Sequence, residues 1–262
     1  MAGMRALMIG DVVAGVGHRA LLAHLPHLLA EYRPDLVVVN AENAADGVGT
    51  SARQAHELLD AGVHVLTGGN HSLRRTDFHA VLRDDPRVLR PHNLPQPNAP
   101  GRGTALVETP AGPAAVVNVQ GTVFMEASGS AFAVADELVD AALRATPFVF
   151  VDVHAEATSE KVALGRHLEG RASAVVGTHT HVQTADERVL PGGTAYITDL
   201  GMTGPHDSVI GVRTDIIVAR FLGRAQARFE PAEGWVTVQG LAVECDAGGR
   251  ATAVERISVE VG

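Results

Sequence analysis

Cysteine is almost absent from this chain; Cys245 is the only one. That excludes a disulfide framework and a cysteine-rich zinc module. Aromatic residues are scarce, at 4%, so stacking platforms for single-stranded nucleic acid are few. Basic charge is also in short supply. Lys plus Arg number 21 against 30 Asp plus Glu, a formal net charge of −9, which is poorly suited to coating the phosphates of a long nucleic acid. A small anion remains bindable where a site supplies its own positive charge. No apolar run approaches the ~20 residues needed to span a bilayer. Met1–Ile9 is too short for a signal peptide before the chain reaches Gly10-Asp11. A cytoplasmic protein without a membrane partner is expected.

What the chain does have is length, glycine and histidine. Its 262 residues, 46% hydrophobic and 19% charged, suit one α/β domain with a large buried core. There are 28 Gly and 13 His, and imidazole without thiol directs attention to nitrogen and oxygen ligands. Cys245 itself reads as a small core hydrophobe.

Short β-branched runs alternate with segments of helical period. Arg5–Ile9, Asp35–Val39 and Val63–Thr67 read as strands, the middle one too uniformly apolar to have a solvated face. Between them lie a helix over His18–Tyr32, with Pro26 expected to distort it, and a helix over Ala52–Ala61 capped by Ser51 and ended by Gly62. Such a rhythm implies right-handed crossovers and a largely parallel sheet. After a Pro- and Asn-rich surface connection at Pro91–Gly103, Thr104–Glu108 and Ala114–Val119 read as a hairpin. Phe132–Arg144 and Ser159–Leu168 are predicted helices around a strand at Phe148–Val153, and Ala174–Val176 is the next strand. Arg188–Leu190 with Ala195–Thr198, and Trp235–Glu244 with Ala253–Val261, read as further antiparallel pairs. No repeat or domain boundary is visible, so a single domain over 1–262 with mixed sheets is expected.

Chemistry gathers where the strands end. Asp11, Asn40-Ala41-Glu42-Asn43, Asn70-His71, His154 and His179-Thr180-His181 each follow a predicted strand, and open α/β sheets bind ligands beyond those carboxyl ends. Each has an ordinary reading alone: Asp11 can cap the next helix, Glu42 and Asn43 can sit in a solvated loop, and His154 can be a satisfied core histidine. Their coincidence on successive strands points instead to one site. His179 and His181, two apart on what reads as an extended segment, can present both rings to the same side and so reach two neighbouring cations. Oxygen and imidazole donors suit Mn, Fe, Co or Zn in an open catalytic site. A carboxylate bridging two cations ~3.5–4 Å apart is the usual arrangement of a binuclear hydrolase. Gly10–Gly17 lacks both the dinucleotide spacing and the P-loop lysine; it reads as a turn beside Asp11 that aims helix amides toward a phosphate. His18 and His206 are placed in loops near the site.

Gly10-Asp11, Glu42-Asn43, Gly69-Asn70-His71, His154 and Gly177-Thr-His179-Thr-His181 resemble the calcineurin-like metallophosphoesterases. The strings His154-Ala-Glu-Ala-Thr-Ser-Glu-Lys161, Gly177-Thr-His-Thr-His-Val-Gln-Thr-Ala-Asp186 and Thr198-Asp-Leu-Gly-Met-Thr-Gly-Pro205 narrow the resemblance to the YmdB-like branch, from Arg5 to about Ile257. It implies a four-layer α/β/β/α sandwich with mixed sheets, and 2′,3′-cyclic-nucleotide phosphodiesterase activity on a di-iron or di-manganese centre, with zinc as a further candidate. One metal would take Asp11, Glu42, Asn43 and His181. The other would share Glu42 and take Asn70, His154 and His179. His71 would stand beside the phosphate as acid or electrostatic stabiliser. Most metallophosphoesterases carry a His where this chain has Val13; the branch shares that gap, and Asn43 fills it. Leu73-Arg74 stands where an aromatic and an acid are expected, and Thr122 replaces an expected Arg. The resulting reading is a binuclear phosphodiesterase of small nucleotides. Its alternatives are a regulatory RNA-associated or partner-binding protein with a vestigial metal site, and a phosphomonoesterase on the same fold.

Overall fold

The β-branched runs become two mixed sheets, seen in a computed structural model that describes residues 3–96, 98–224 and 228–261. Met1 and Ala2 of the N-terminal reading, and Pro97 of the Pro91–Gly103 connection, lie outside the described residues. In chain order the first half comprises β1 (Met4–Ile9), β2 (Asp11–Val12), α1 (Ala14–Tyr32), β3 (Leu36–Asn40), α2 (Ala52–Asp60), β4 (Val65–Thr67), α3 (Phe78–Asp84), β5 (Thr104–Thr109) and β6 (Gly112–Gln120). Then come α4 (Ala131–Leu143), β7 (Val149–His154), α5 (Thr158–His167), β8 (Ala174–Thr178), β9 (Arg188–Val189) and β10 (Ala195–Ile197). The last are β11 (Met202–Pro205), α6 (Thr214–Phe221), β12 (Val236–Cys245) and β13 (Ala251–Val261).

One sheet has seven strands in the order β2-β11-β12-β1-β3-β4, with β13 also paired to β12; the other has six, in the order β5-β6-β7-β8-β10-β9. Strands β1, β3 and β4 run parallel, as do β6, β7, β8 and β10. The three hairpins read from the sequence are present as antiparallel pairs β5·β6, β9·β10 and β12·β13.

Alternation along the strands sorts the core into layers. Met8, Val38 and Leu241 of the first sheet meet Val116, Phe150 and Val176 of the second in one fully buried cluster. Residues of opposite parity face outward. Leu7, Ile9, Val37 and Val39 pack on Leu21, Leu25 and Leu28 of α1 and Ala55 and Leu58 of α2. Val117, Val151 and Val175 pack on Ala135 and Val139 of α4 and Leu164 of α5. Helix, sheet, sheet, helix is the resulting order, the expected four-layer α/β/β/α sandwich.

At the carboxyl ends of the parallel strands the interior turns polar. Asp152 of β7 accepts hydrogen bonds from Asn40 Nδ2 of β3 at 3.0 Å, from Thr67 Oγ1 of β4 and from Thr178 Oγ1 of β8 at 2.7 Å. These groups are buried, so the carboxylate ties both sheets together beneath the strand ends. Burial pushes the Asp152 carboxyl above its ordinary range, partly offset by those donors.

Several sequence expectations are corrected. Helix α1 begins at Ala14, not His18; Val13 precedes it without a side-chain cap, so Asp11 is not its cap. The early start lets Gly17 press on the backbone of β11, where a Cβ would collide with Thr203 O. Two amides of this turn are taken by the protein itself, Val13 N by Thr203 O and Ala14 N by Asn43 O. Pro26 lies inside an unbroken helix on its exposed face, where the missing N–H costs least. His18 is therefore on a helix and buried, with Nε2 3.4 Å from Gln54 O and 3.5 Å from Glu57 Oε2. Helices α3 and α6 and strands β2 and β11 escaped the sequence reading, because none is long enough to show a period. No helix among the described residues is long and apolar enough to cross a membrane.

Candidate metal centre

The polar residues after the strands converge on one spot. Asp11, Glu42 and His154 are buried to within 1% exposure. His154 Nε2 lies 3.1 Å from each of three atoms: Glu42 Oε1, Asn70 Oδ1 and His179 Nδ1. Ligand atoms of Glu42, His154 and His179 fall within 4.8 Å of one another, a grouping able to hold a metal ion. Beside it, His181 Nε2 lies 3.1 Å from Asn43 Nδ2 and 3.8 Å from Asp11 Oδ1. Glu42 joins the two halves, since its Oε1 also accepts from Asn43 Nδ2 at 3.2 Å. All seven predicted ligand residues are thus brought together.

His71 stands at the same place. Its backbone N donates to Glu42 Oε2 at 3.1 Å, and its ring Nδ1 is 2.8 Å from Asn43 Oδ1. Burial, with His154 and Arg74 nearby, holds the ring below the usual histidine range despite Glu42. His206 instead stacks on Trp235, ring centroids 5.7 Å apart. Val13 packs with Ala14 and Met202, and its backbone pairs with Asn43, so Asn43 lies beside the position where a further histidine was missed.

Electrostatically the site is a set of buried groups short of compensation. Burial raises the Asp11 carboxyl to about 6, although His181 and His154 pull it down. Burial also pushes Glu42 up, but His154 and His71 outweigh it and hold that carboxyl well below the ordinary range. For His154 desolvation works downward and Glu42 upward, and Glu42 wins, giving about 9. Burial and the neighbouring His154 drive His179 down to about 3. Asp11 Oδ1 is buried without a hydrogen-bond partner among the described residues. A buried orphan oxygen beside imidazoles and a carboxylate is the environment a cation compensates, and the donor set of oxygen and nitrogen without sulfur fits iron, manganese or zinc.

The expected extended run through His179 and His181 is not present. Strand β8 ends at Thr178, and His179 and His181 both have left-handed backbones, with φ of 98° and 63°. Conformations like these cost about 1–3 kcal/mol each for non-glycine residues, so the surroundings must impose them. Asp11 Oδ2 accepts from His179 N at 3.0 Å, and Asp199 Oδ2 accepts from Thr180 N and Oγ1 at 3.2 and 2.7 Å. Ile210 O holds His181 Nδ1 at 2.9 Å. Two kinks, not strand alternation, aim one ring at His154 and the other at Asn43.

Residues 7–257 match the family described as YmdB-like protein. The chain belongs to the YmdB-like family. It is 44% identical over 257 residues, 98% of this chain and 97% of the relative, to a 2′,3′-cyclic-nucleotide 2′-phosphodiesterase of Bacillus subtilis. A crystal structure of a hypothetical protein from Thermus thermophilus superposes with a TM-score of 0.91 at 41% identity, covering 99% of this chain and 100% of that one. That of a phosphatase from Mycoplasma pneumoniae also gives 0.91, at 32% identity, covering 99% and 95%.

Several residues of this YmdB-like site were not singled out by sequence reasoning. Thr178 Oγ1, 2.9 Å from His154 Nδ1, passes the orientation of that ring down to Asp152. Glu156 Oε2 is 3.0 Å from His179 Nε2. Asp199, which pins the His179–His181 loop, is itself held by Lys161 Nζ at 2.7 Å, both side chains being buried. Lys161 and Asp199 lie inside the family strings, but nothing local marks them as partners. Removing Lys161 leaves a buried carboxylate uncompensated. Lys161→Met is expected to lower stability by about 3–5 kcal/mol, read from urea unfolding; a change below about 1 kcal/mol would show that the pair does not hold the loop.

Proposed function

We propose that this chain is a binuclear-metal phosphodiesterase of small nucleotides, one metallophosphoesterase domain whose substrates are 2′,3′-cyclic mononucleotides. The observation that carries the reading is His154 Nε2 facing Glu42, Asn70 and His179 at 3.1 Å, next to the orphaned Asp11 Oδ1. Asp11, Glu42, Asn43 and His181 would hold one ion and Glu42, Asn70, His154 and His179 the other, with iron or manganese as the metals. When bound, such a pair lowers the pKa of water and neutralises charge on a phosphoryl group. A vestigial centre would have no reason to keep Asp11 Oδ1 buried and unpartnered.

The protein's own contribution is orientation and one proton. Asn43 Oδ1 fixes His71 by accepting its Nδ1–H, leaving Nε2 as the ring nitrogen for the substrate. Burial keeps the free ring neutral; an anionic phosphodiester beside it favours protonation. His71 takes up a proton on Nε2 as the anionic diester binds. Water adds to phosphorus and releases a proton to solvent, the bond from phosphorus to O2′ breaks, and His71 delivers its Nε2 proton to O2′, giving the 3′-phosphate. Help at one leaving oxygen of this kind is worth ~10²–10⁴-fold.

The test is a substrate panel at matched metal loading: 2′,3′-cyclic AMP, internal linkages of single-stranded RNA, and a phosphomonoester. The cyclic nucleotide should have the highest kcat/KM. With a net charge of −9, repulsion disfavours long RNA, and added salt should narrow that gap. Faster cleavage of internal RNA linkages at low salt would make the protein a nuclease. A faster monoester would make it a phosphomonoesterase.

A further inference from the structure

A cavity of about 670 Å³ opens directly off the candidate metal centre, with Asn70 and His179 in its lining. That volume falls within the range of small-ligand pockets, about 300–1,000 Å³. Leu73, Leu94 and Met125 give it apolar walls, and Arg74 adds a cation. The neighbouring Arg75 faces the carboxylates of Asp46 and Asp77 at 3.7 and 3.4 Å, so the two arginines have different surroundings.

Phe124 is the informative residue on this cavity. It is 89% exposed and has a left-handed backbone with φ of 62°. An exposed phenylalanine forgoes about 1.5–3 kcal/mol of burial, and a left-handed non-glycine backbone costs about 1–2 kcal/mol more. The segment carrying it is nevertheless anchored. Glu160, on α5 and largely buried, accepts from Thr122 N at 2.8 Å, Thr122 Oγ1 at 2.9 Å and Val123 N at 3.1 Å. Gly121 lies so close to Glu160 and Ala155 that a Cβ there would collide with both. The fold therefore fixes the loop through its backbone and leaves the aromatic ring facing outward at the mouth of a cavity.

We infer that Phe124 is the stacking platform for the nucleobase of the substrate, and that this cavity selects nucleotides over phosphodiesters lacking a base. The inference rests on the phosphodiesterase reading for the identity of the substrate. The phosphate sits at the Asn70 and His179 end, and the base lies on the Phe124 ring between the apolar walls. One aromatic of this kind accommodates one base with little sequence preference, because every base has a π-face. Among the described residues no second aromatic neighbours it in the cavity lining, which fits a mononucleotide better than a strand.

The experiment compares 2′,3′-cyclic AMP with glycerol 1,2-cyclic phosphate, which has the five-membered cyclic diester and no base. Phe124→Ala should reduce the ratio of their kcat/KM values by about 10-fold or more, mainly through KM for the nucleotide. Phe124→Trp should restore the ratio. Binding of 1,N6-etheno-AMP, followed by its fluorescence, should weaken in Phe124→Ala and recover in Phe124→Trp. An unchanged ratio, or an etheno-AMP affinity indifferent to the substitution, overturns the platform. Should the wild-type protein cleave neither cyclic ester, the phosphodiesterase reading fails, while the etheno-AMP titration still decides whether Phe124 receives a base.

Discussion

Replacing Glu42 with Gln should leave the protein with fewer than two metal ions per chain and lower its phosphodiesterase activity by at least ~10³-fold. The magnitude follows from the several kcal/mol a metal pair contributes to phosphoryl transfer, at 1.36 kcal/mol per tenfold. Glu42 is the side chain that touches both halves of the site, through His154 at 3.1 Å and Asn43 at 3.2 Å. Its carboxyl is held in the charged form because His154 and His71 outweigh the opposing effect of burial. Glutamine preserves the volume and removes the charge, so packing is not the variable. Protein never exposed to chelator should be used, with iron, manganese and zinc counted per chain and the fold checked by circular dichroism. Two ions per chain together with full turnover would remove Glu42 from its bridging role. Wild-type protein should carry two.

His71→Ala should behave differently. Metal content should match the wild type, while hydrolysis of 2′,3′-cyclic AMP slows by at least ~10²-fold. The ring contacts Asn43 Oδ1 and lies 3.5 Å from Glu42 Oε1, next to proposed ligands without being one. The loss should shrink for substrates with activated leaving groups, which depart with little protonation. That dependence on the leaving group distinguishes proton donation from a general disturbance of the site. A parallel fall in metal content would make His71 a ligand instead.

The carboxyl-terminal strand signals were legible because they are local. Val37, Val38 and Val39 preceding Asn40, or Phe150 through Val153 preceding His154, mark a buried strand and its polar end within a few residues. Parallel topology then places such ends along one edge, and the structure gathers Asp11, Glu42, Asn43, Asn70, His154, His179 and His181 there. Short elements were illegible. Strand β2 has two residues and β11 four, and each is defined by partners distant in sequence: Met202 pairs with Asp11 and Thr203 with Val12, while Gly204 and Pro205 pair with Thr237 and Val236 of β12.

By itself the sequence determined which residue types end the strands, the alternation of strands with helices that implies a largely parallel sheet, and, through its motifs, the resemblance of the chain to its family. Period-two and helical-period patterns are set by neighbours within a turn or a strand, so one chain suffices to read them. Tertiary structure alone decided how the ligands are aimed. The left-handed turns at His179 and His181 are imposed by Asp11 and Asp199, the latter balanced by Lys161 from 38 residues away. The carboxylate beneath the site, Asp152, meets Asn40 across 112 residues and across the two sheets. The exposed ring of Phe124 depends on Glu160, anchored on a different layer. Contacts at such separations carry no periodic signature, and their energy exists only once the distant segments have packed together.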